Sequence, residues 1–334
     1  MKRFVLILMM SLAAAGLWAQ NLEDFQAGFE AFATDMASTL SYNATIGNNW
    51  SDAYIGKFPH FGVGVSAGLT TVPSEPLEAL FVSMGNVEVP SAVAKMGLPI
   101  PAAAVSAKLG GLFLPFDVGV KAMILPAEAT EALSSAGIAA DYKLLGGNVR
   151  FALLKQNILM PDVSVGLGYN RLTGSISMPL DIPTQTFTFE EQDSTPHTLE
   201  VTQPDLAMDW TTDSFDATIQ VSKSLLFLRP YIGAGYSFGK STVNGGMKAA
   251  MLYDGVTVTD EEVDQMKADL AAAGISVPDI SADGFKFGAD NNDPVVRLYG
   301  GLSLDLLILM FDTQVTYVPK TKSLGATGTI RIQL

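Results

Sequence analysis

The sequence predicts an all-β protein, an antiparallel transmembrane β-barrel with an even number of strands (about 10–12), and three observations predict this fold. The 334 residues are 48% hydrophobic but only 16% charged, whereas soluble domains carry about 25% charged residues. A spanning helix needs about 20 apolar residues, and the only long apolar run stands at the extreme N-terminus. Elsewhere apolar and polar residues alternate in many short segments, which is the period of a β-strand.

The N-terminus has the pattern of a cleaved secretory signal. Lys2 and Arg3 precede the apolar stretch 4–12, and small residues lead to Ala19, after which cleavage is predicted. The chain has no cysteine, which excludes disulfides and a lipid-modified cysteine. We therefore expect an exported protein in three parts: a signal peptide at 1–19, a helical, plug-like segment at 20–58 and a β-barrel at 59–334.

Residues 22–40 are predicted to form an amphipathic helix, because their apolar residues recur at spacings of three and four. The candidate plug residues on its apolar face are Phe25, Phe29, Phe32 and Met36. Two placements are open: the helix packs under the barrel or caps its mouth, or it enters the lumen as a plug. A position on the membrane surface is disfavoured, since the helix is acidic and anionic lipids attract basic helices.

Ten segments show the strand period most clearly. They are 59–70, 102–110, 115–124, 142–154, 161–175, 208–224, 230–243, 294–306, 310–318 and 323–334. Tight links, at 111–114, 155–160, 225–229 and 307–309, alternate with long polar links at 71–101, 125–141, 176–207 and 244–293. This asymmetry is typical of transmembrane β-barrels, which have short periplasmic turns and long external loops.

The long links carry predicted elements of their own. Short helices are expected at 127–136 and 260–273, the second after a capping box from Thr259 to Glu262. A hairpin containing Gln185–Glu190 would stand above the membrane and raise the strand count to about twelve. A soluble β-sandwich also has alternating strands, but it would cover its polar face with charge. Here the polar face is mostly Gly, Ser, Thr and Asn.

Charged side chains on the inward face are the candidate lumen-lining residues. They are Lys108, Asp117, Lys121, Arg150, Asp216, Asp312 and Arg331. In a water-filled lumen they would tune selectivity, and in a narrow one they would pair and fill the interior. Barrels of about eight strands are filled by side chains, whereas those of about 16–18 hold a channel. Inward glycines would free some room, and the candidates are Gly62, Gly64, Gly166, Gly168 and Gly300.

Patterns for catalysis and metal binding are weak. Two G-x-S-x-G matches, centred on Ser66 and Ser237, fall inside predicted strands and not in the strand–turn–helix context of a nucleophile elbow. His60 and His197 have no metal-ligand spacing. The acidic stretch 290–293 offers oxygens to Ca²⁺ but lacks the spacing of a binding loop. We expect no enzyme, no cofactor and no metal site, and the formal charge of −14 argues against nucleic acid.

The export signal, the absence of cysteine and the amphipathic C-terminal strand 323–334 resemble bacterial outer-membrane β-barrel proteins over residues 59–334. The helix before the barrel is weakly similar to the fatty-acid-transporter-like members, which have more strands. Such proteins usually end in an aromatic residue, and this chain ends in Leu334.

The resemblance implies a place in the bacterial outer membrane, with outer-membrane lipid and the assembly machinery as partners, and we expect a monomer. The expected function is passive passage of small or hydrophobic solutes. The alternative is a closed barrel that acts as a surface-exposed adhesin or structural protein.

Overall fold

The computed structural model describes the whole chain except residues 1–15, 54–59, 76–93, 96, 111–114, 136, 180–182, 191–195, 273–279 and 283. Most of the predicted signal peptide and the side chain of Phe25 therefore lie outside the described part. In chain order the elements are α1 (Gly16–Asn43), β1 (His60–Val72), β2 (Leu98–Gly110), β3 (Phe116–Ile124), α2 (Ala127–Ser135), β4 (Ala139–Leu154), β5 (Asp162–Pro179), β6 (Gln185–Glu190), β7 (Pro196–Val201), β8 (Asp205–Ser222), β9 (Leu228–Lys248), β10 (Met251–Tyr253), β11 (Val256–Thr257), α3 (Asp260–Ala272), β12 (Ile280–Ser281), β13 (Gly284–Asn291), β14 (Val295–Leu306), β15 (Leu309–Val318) and β16 (Ser323–Gln333).

Ten antiparallel strands close into a barrel, and each of them coincides with a predicted segment. The ring runs β1–β2–β3–β4–β5–β8–β9–β14–β15–β16, and β16 pairs with β1 to close it. Closure leaves the ring without an edge, so its backbone N–H and C=O groups are satisfied without water, as lipid requires. The predicted antiparallel β-barrel is confirmed.

The predicted hairpin at Gln185–Glu190 exists, but it does not raise the number of barrel strands. β6 and β7 belong to a second sheet with the order β11–β10–β7–β6. They lie in the connection between β5 and β8, which pair with each other from Asp162–Ser222 to Pro179–Asp205. No edge is left between β5 and β8 for the hairpin to join, so the ring has ten strands.

One wall of the barrel is taller than the sequence predicted. β13, which lies in the expected long link 244–293, pairs with β9 in the same register as β14: Asn291 stands opposite Ser241 and Val295 opposite Ser237. β13 and β14 are thus one strand with a short break that contains Pro294, a residue without a backbone donor. We call this end of the barrel the long-connection end, and the end that carries the short β2–β3, β4–β5, β8–β9 and β14–β15 links the tight-turn end.

The two faces of the barrel wall differ in polarity. The outward face exposes large apolar side chains along every strand of the ring, among them Val65, Val120, Leu145, Leu167, Ile219, Ile232, Leu298, Val315 and Ile330. Exposed aromatic rings flank this belt, with Phe61 and Phe311 near the tight-turn end and Tyr317 near the other end. An apolar belt between aromatic girdles is the outer surface of a transmembrane barrel.

The connections at the long-connection end hold both helices predicted there. α2 and α3 coincide with the expected segments 127–136 and 260–273. The capping box of α3 is formed: the Thr259 backbone N–H donates to the Glu262 carboxylate at 2.8 Å, and the Glu262 N–H donates to Thr259 Oγ1 at 3.4 Å. None of the described helices combines the length and the apolarity needed to cross a membrane.

Candidate functional site

The lumen is occupied by the chain's own N-terminal region, of which we call residues 28–53 the lumenal segment. Its first part is the second half of α1, where Phe29, Phe32, Met36 and Leu40 lie on one face of the helix and are buried. This face packs against apolar wall residues near the long-connection end, which are Val72, Leu144, Leu172, Val243 and Phe287. Of the two placements left open by the sequence, the geometry is that of a plug.

Below α1 the wall changes from apolar to cationic. α1 ends at Asn43, so the carbonyl groups that follow have no partner within the helix. Lys121 Nζ donates to the carbonyl oxygens of Ala44 at 2.5 Å and Ile46 at 2.8 Å, and Lys108 Nζ donates to that of Asn48. Both ammonium groups are buried, and that of Lys121 lies next to the C-terminal end of α1, where the helix dipole places its partial negative charge.

The stretch 49–53 is held by wall side chains through its backbone. Gln220 Nε2 donates to the carbonyl oxygen of Trp50 at 2.7 Å, and Arg150 Nη1 donates to that of Asp52 at 2.6 Å. The Ala53 N–H donates to Ser222 Oγ at 2.9 Å. Buried backbone groups must find partners, and here the barrel wall provides them.

Asp52 is the anchor of the lumenal segment. Arg331 donates to both of its carboxylate oxygens at 3.0 Å, and Arg229 donates to Oδ1. Each arginine also binds a wall carboxylate, Arg331 with Asp312 at 2.8 Å and Arg229 with Asp305 at 2.7 Å. Two guanidinium groups thus face a carboxylate that is only 2% exposed.

Trp50 fills the space beside this anchor. Its indole ring is fully buried and lies under two cations, with Arg331 Cζ at 4.9 Å and Lys108 Nζ at 5.2 Å from the ring centroid. Gly62 of β1 provides the room, because a Cβ atom at that position would lie 2.7 Å from the ring. We call Lys108, Lys121, Arg150, Gln220, Arg229 and Arg331 the polar cage.

Two further buried ion pairs stabilise the wall. Arg150 binds the Asp117 carboxylate at 2.9 and 2.7 Å, and Arg297 binds the Asp216 carboxylate at 2.6 and 2.8 Å. Arg297 also donates to Ser237 Oγ at 2.7 Å, so this serine takes part in a wall network.

The buried charges of the wall do not balance without the lumenal segment. Among the described residues, the buried wall cations are Lys108, Lys121, Arg150, Arg297 and Arg331, and the buried wall carboxylates are Asp117, Asp216 and Asp312. The wall thus has two more cations than anions. The lumenal segment supplies Asp52 as a fourth anion and carbonyl oxygens for both lysines.

The seven predicted lumen-lining residues all lie on the inward face and are buried. Lys108, Lys121, Arg150, Asp312 and Arg331 contact the lumenal segment directly. Asp117 and Asp216 form ion pairs with arginines of the wall. Of the predicted plug residues, Phe29, Phe32 and Met36 are buried in the lumen.

Sequence analysis missed several residues of this site and misplaced one glycine. Asp52, Trp50, Gln220, Arg229 and Arg297 were not singled out, although Arg297 lies two residues before the inward-facing Tyr299 and therefore shares its face. The prediction that Gly300 faces inward was wrong. Its pairing partner Val315 and its neighbours at two-residue spacing, Leu298 and Leu302, are exposed on the outer surface, and Gly301 takes the inward position.

The space left in the lumen is small. A cavity of ≈ 30 Å³ lies beside the lumenal segment, between Asn43 and Gly47 on one side and Gln314, Thr316 and Thr327 on the other. A water molecule occupies about 30 Å³ of the liquid and needs about 10–15 Å³ of cavity for its centre. This cavity therefore admits about two waters.

The other candidate side chains that the structure describes take part in separate contacts. Ser66 binds Thr329 across the β1–β16 pair, and His197 binds Asp254 in the second sheet, outside the barrel ring. Asp290 and Asp293 pair with Lys240 and Lys320. Within the described part of the chain, no group of three or more acidic, histidine or cysteine side chains is placed to hold a metal ion.

These features define a class of protein: a ten-stranded transmembrane β-barrel that holds its own N-terminal segment in its lumen. No family model matches the sequence, and no curated protein matches it. Its fold is similar to that of several solved structures at low identity. LpxR from Salmonella typhimurium is 10% identical, with 81% of this chain and 99% of that chain covered and a TM-score of 0.27.

Two other solved structures are similar to the same extent. The translocator domain of the autotransporter NalP from Neisseria meningitidis is 10% identical, with 82% of this chain and 87% of that chain covered and a TM-score of 0.32. The CymD monoaromatic hydrocarbon channel is 8% identical, with 87% and 90% covered and a TM-score of 0.23.

Proposed function

We propose that the protein is an outer-membrane β-barrel that gives passive passage to small or hydrophobic solutes and that its lumenal segment keeps it closed. The apolar outer belt and the girdles of Phe61, Phe311 and Tyr317 support a place in a lipid bilayer. The long connections then face the cell exterior, and the tight turns face the periplasm. In this proposal the lumenal segment is the gate, because it fills the lumen beside a cavity that holds about two waters.

The observation that carries the proposal is the ionised wall of the lower lumen. Buried ion pairs are often no more stable than well-packed apolar side chains of similar volume. A barrel that is closed permanently could therefore be filled with apolar residues, as the upper lumen is around Phe32 and Leu172. A wall with five buried cations can be stable in a closed barrel and in an open one, because water can replace the lumenal segment as the partner of these charges.

A reversible cross-link tests whether the lumenal segment is the gate. Ser41 Oγ lies 3.5 Å from Ser241 Oγ of β9, and the chain has no cysteine of its own. The double variant S41C/S241C should join the segment to the wall when it is oxidised. We expect the oxidised barrel to show no unitary currents in a planar bilayer and the reduced barrel to regain them.

The matched control uses the same wall residue. Thr212 Oγ1 lies 2.5 Å from Ser241 Oγ, and the two residues are paired on neighbouring strands. The variant T212C/S241C cross-links wall to wall and should conduct equally when oxidised and when reduced. Equal currents from oxidised and reduced S41C/S241C would refute gating by the segment.

A second function is favoured by the second sheet and by α2 and α3 at the long-connection end. These elements give the closed barrel an ordered external surface. A closed barrel that acts as an adhesin or structural protein would be silent in the bilayer under all conditions, including after the lumenal segment is released. Binding of the purified barrel to a host-cell surface, together with that silence, would favour this second function.

The remaining expectations belong to the same proposal. The protein acts without catalysis and as a monomer, with outer-membrane lipid around it and the outer-membrane assembly machinery as the partner that inserts it. An esterase assay tests the first point by comparing the wild type with Ser66→Ala and Ser237→Ala. Ester hydrolysis that is present in the wild type and lost in a variant would show that the protein is an enzyme. Sedimentation in detergent tests the second point.

A further inference from the structure

We infer that the lumenal segment is threaded through the barrel so that the N-terminus of the exported chain is displayed on the outer face of the membrane. The chain enters β1 from the tight-turn end, because β1 begins there at His60. A segment that merely capped the barrel would lie at that same end. The contacts of the lumenal segment instead follow the whole height of the wall.

The lower contacts lie at the tight-turn end. Ala53 binds Ser222, the last residue of β8, and Asp52 binds Arg229, the second residue of β9. The upper contacts lie at the opposite end. The ring of Phe29 lies 6.1 Å from that of Phe287, and it fills the space in front of Gly245, three residues before β9 ends. The chain therefore runs from the long-connection end at Phe29 to the tight-turn end at Ala53.

The beginning of α1 continues past the end of the wall. From Phe29 back to Gln20, the first residue after the predicted cleavage site, the helix has nine further residues, which at about 1.5 Å per residue extend about 14 Å. From Gly245 to Lys248 strand β9 has three further residues, which at about 3.3 Å per residue extend about 10 Å. In the exported chain the helix therefore extends about 4 Å beyond the end of the longest strand of the barrel.

At this end α1 keeps one face exposed. Ala27, Glu30 and Thr34 lie at spacings of three and four on that face. The opposite face packs against the tall β9–β13 wall, and Asn291 Nδ2 donates to the Thr34 carbonyl oxygen at 3.3 Å. The helix thus lies against one side of the wall where it leaves the lumen.

The threaded path has a consequence for assembly. Arg331 of β16 binds Asp52 directly, and Asp312 of β15 binds Arg331. Two of the groups that hold Asp52 in place therefore come from the last two strands. The lumenal segment is locked only after β16 has reached β1, so the barrel closes around its own N-terminal chain.

Cysteine labelling of intact cells tests the display of the N-terminus. The inference rests on the orientation in the proposed function, so two reference positions are needed. Val256, in the second sheet at the long-connection end, is 69% exposed, and Ile158, in the β4–β5 turn, is 96% exposed. Ala27→Cys is compared with Val256→Cys and Ile158→Cys by a polyethylene-glycol maleimide too large to cross the outer membrane, before and after permeabilisation. All three sites are exposed, so the variants are expected to fold.

We expect Ala27→Cys and Val256→Cys to react on intact cells to the same extent, and Ile158→Cys to react only after permeabilisation. Threading is overturned if Ala27→Cys behaves like Ile158→Cys while Val256→Cys reacts. If Ile158→Cys alone reacts on intact cells, the proposed orientation fails, yet the matching behaviour of Ala27→Cys and Val256→Cys still supports a chain that crosses the lumen. If Ala27→Cys and Ile158→Cys react on intact cells and Val256→Cys does not, both the orientation and the threading fail.

Discussion

Replacing Asp52 by asparagine removes the charge that anchors the lumenal segment and keeps the shape of the side chain. Asp52 is 2% exposed and accepts hydrogen bonds from Arg331 and Arg229. Removing one partner of a buried ion pair costs about 3–5 kcal/mol when the other is left unpaired. Here each arginine keeps a second carboxylate, Asp312 or Asp305, so the loss is nearer to that of a charged hydrogen bond, about 1.5–3 kcal/mol.

We take about 2–3 kcal/mol as the loss for Asp52→Asn, since two arginines are affected. The loss falls on the closed state alone, because Asp52 belongs to the lumenal segment and meets water when the segment leaves. With about 1.4 kcal/mol for each factor of ten, the ratio of open to closed barrels should rise about 30- to 150-fold. The measurement is the open probability of single barrels in a planar bilayer at neutral pH.

Asp216→Asn is the matched control. Asp216 is as buried as Asp52 and binds an arginine through both oxygens, but its partner Arg297 belongs to the wall. This variant should lower the temperature at which the barrel unfolds in detergent and leave the open probability unchanged. The reasoning is refuted if Asp52→Asn opens no more often than the wild type, or if Asp216→Asn opens as often as Asp52→Asn.

Two other perturbations have expected outcomes. Gly62→Val must displace the ring of Trp50 and should raise open probability, whereas Gly328→Val, where an added Cβ meets nothing within 4 Å, should not. Thr259→Ala removes the cap of α3 and should destabilise that helix by about 1 kcal/mol, seen as faster amide exchange in α3 with unchanged exchange in the barrel strands.

The barrel strands could be predicted from the sequence because lipid and lumen impose opposite demands on alternate residues. The alternation around Val65 or Ile330 reflects an apolar belt that every spanning strand needs. The same period put Lys108 and Arg331 on the inward face. The prediction of strand ends was less accurate, because residues above the belt, as in β13, no longer face lipid and lose the alternation.

The site itself could be predicted only in part. The partners of Arg331 include Asp52, which lies 279 residues away in the sequence and meets it only when β16 closes the ring on β1. Residues 44–53 form neither a strand nor a helix, so no period marks Asp52 or Trp50 as inward. Gly300 and Gly301 are adjacent glycines, and the pattern does not show which of them faces the lumen.

The charge of the empty lumen leads to a last prediction. Deletion of residues 20–53 leaves the five buried cations of the wall against three carboxylates. Charges that line a pore set its preference for ions of opposite sign, so the open barrel should favour chloride over potassium in reversal-potential measurements across a salt gradient. Lys108→Met with Lys121→Met, in the same deletion, leaves three of each sign and should abolish the preference.

Both deletion variants must first be shown to form a barrel, through the mobility shift between unheated and boiled samples in gel electrophoresis. If the deletion does not fold, the same sign of selectivity is expected in the open events of Asp52→Asn, where the wall keeps both lysines. Cation preference in either protein would show that the two lysines do not face the open pathway, and the account of the lower lumen as a wall neutralised by the lumenal segment would then fail.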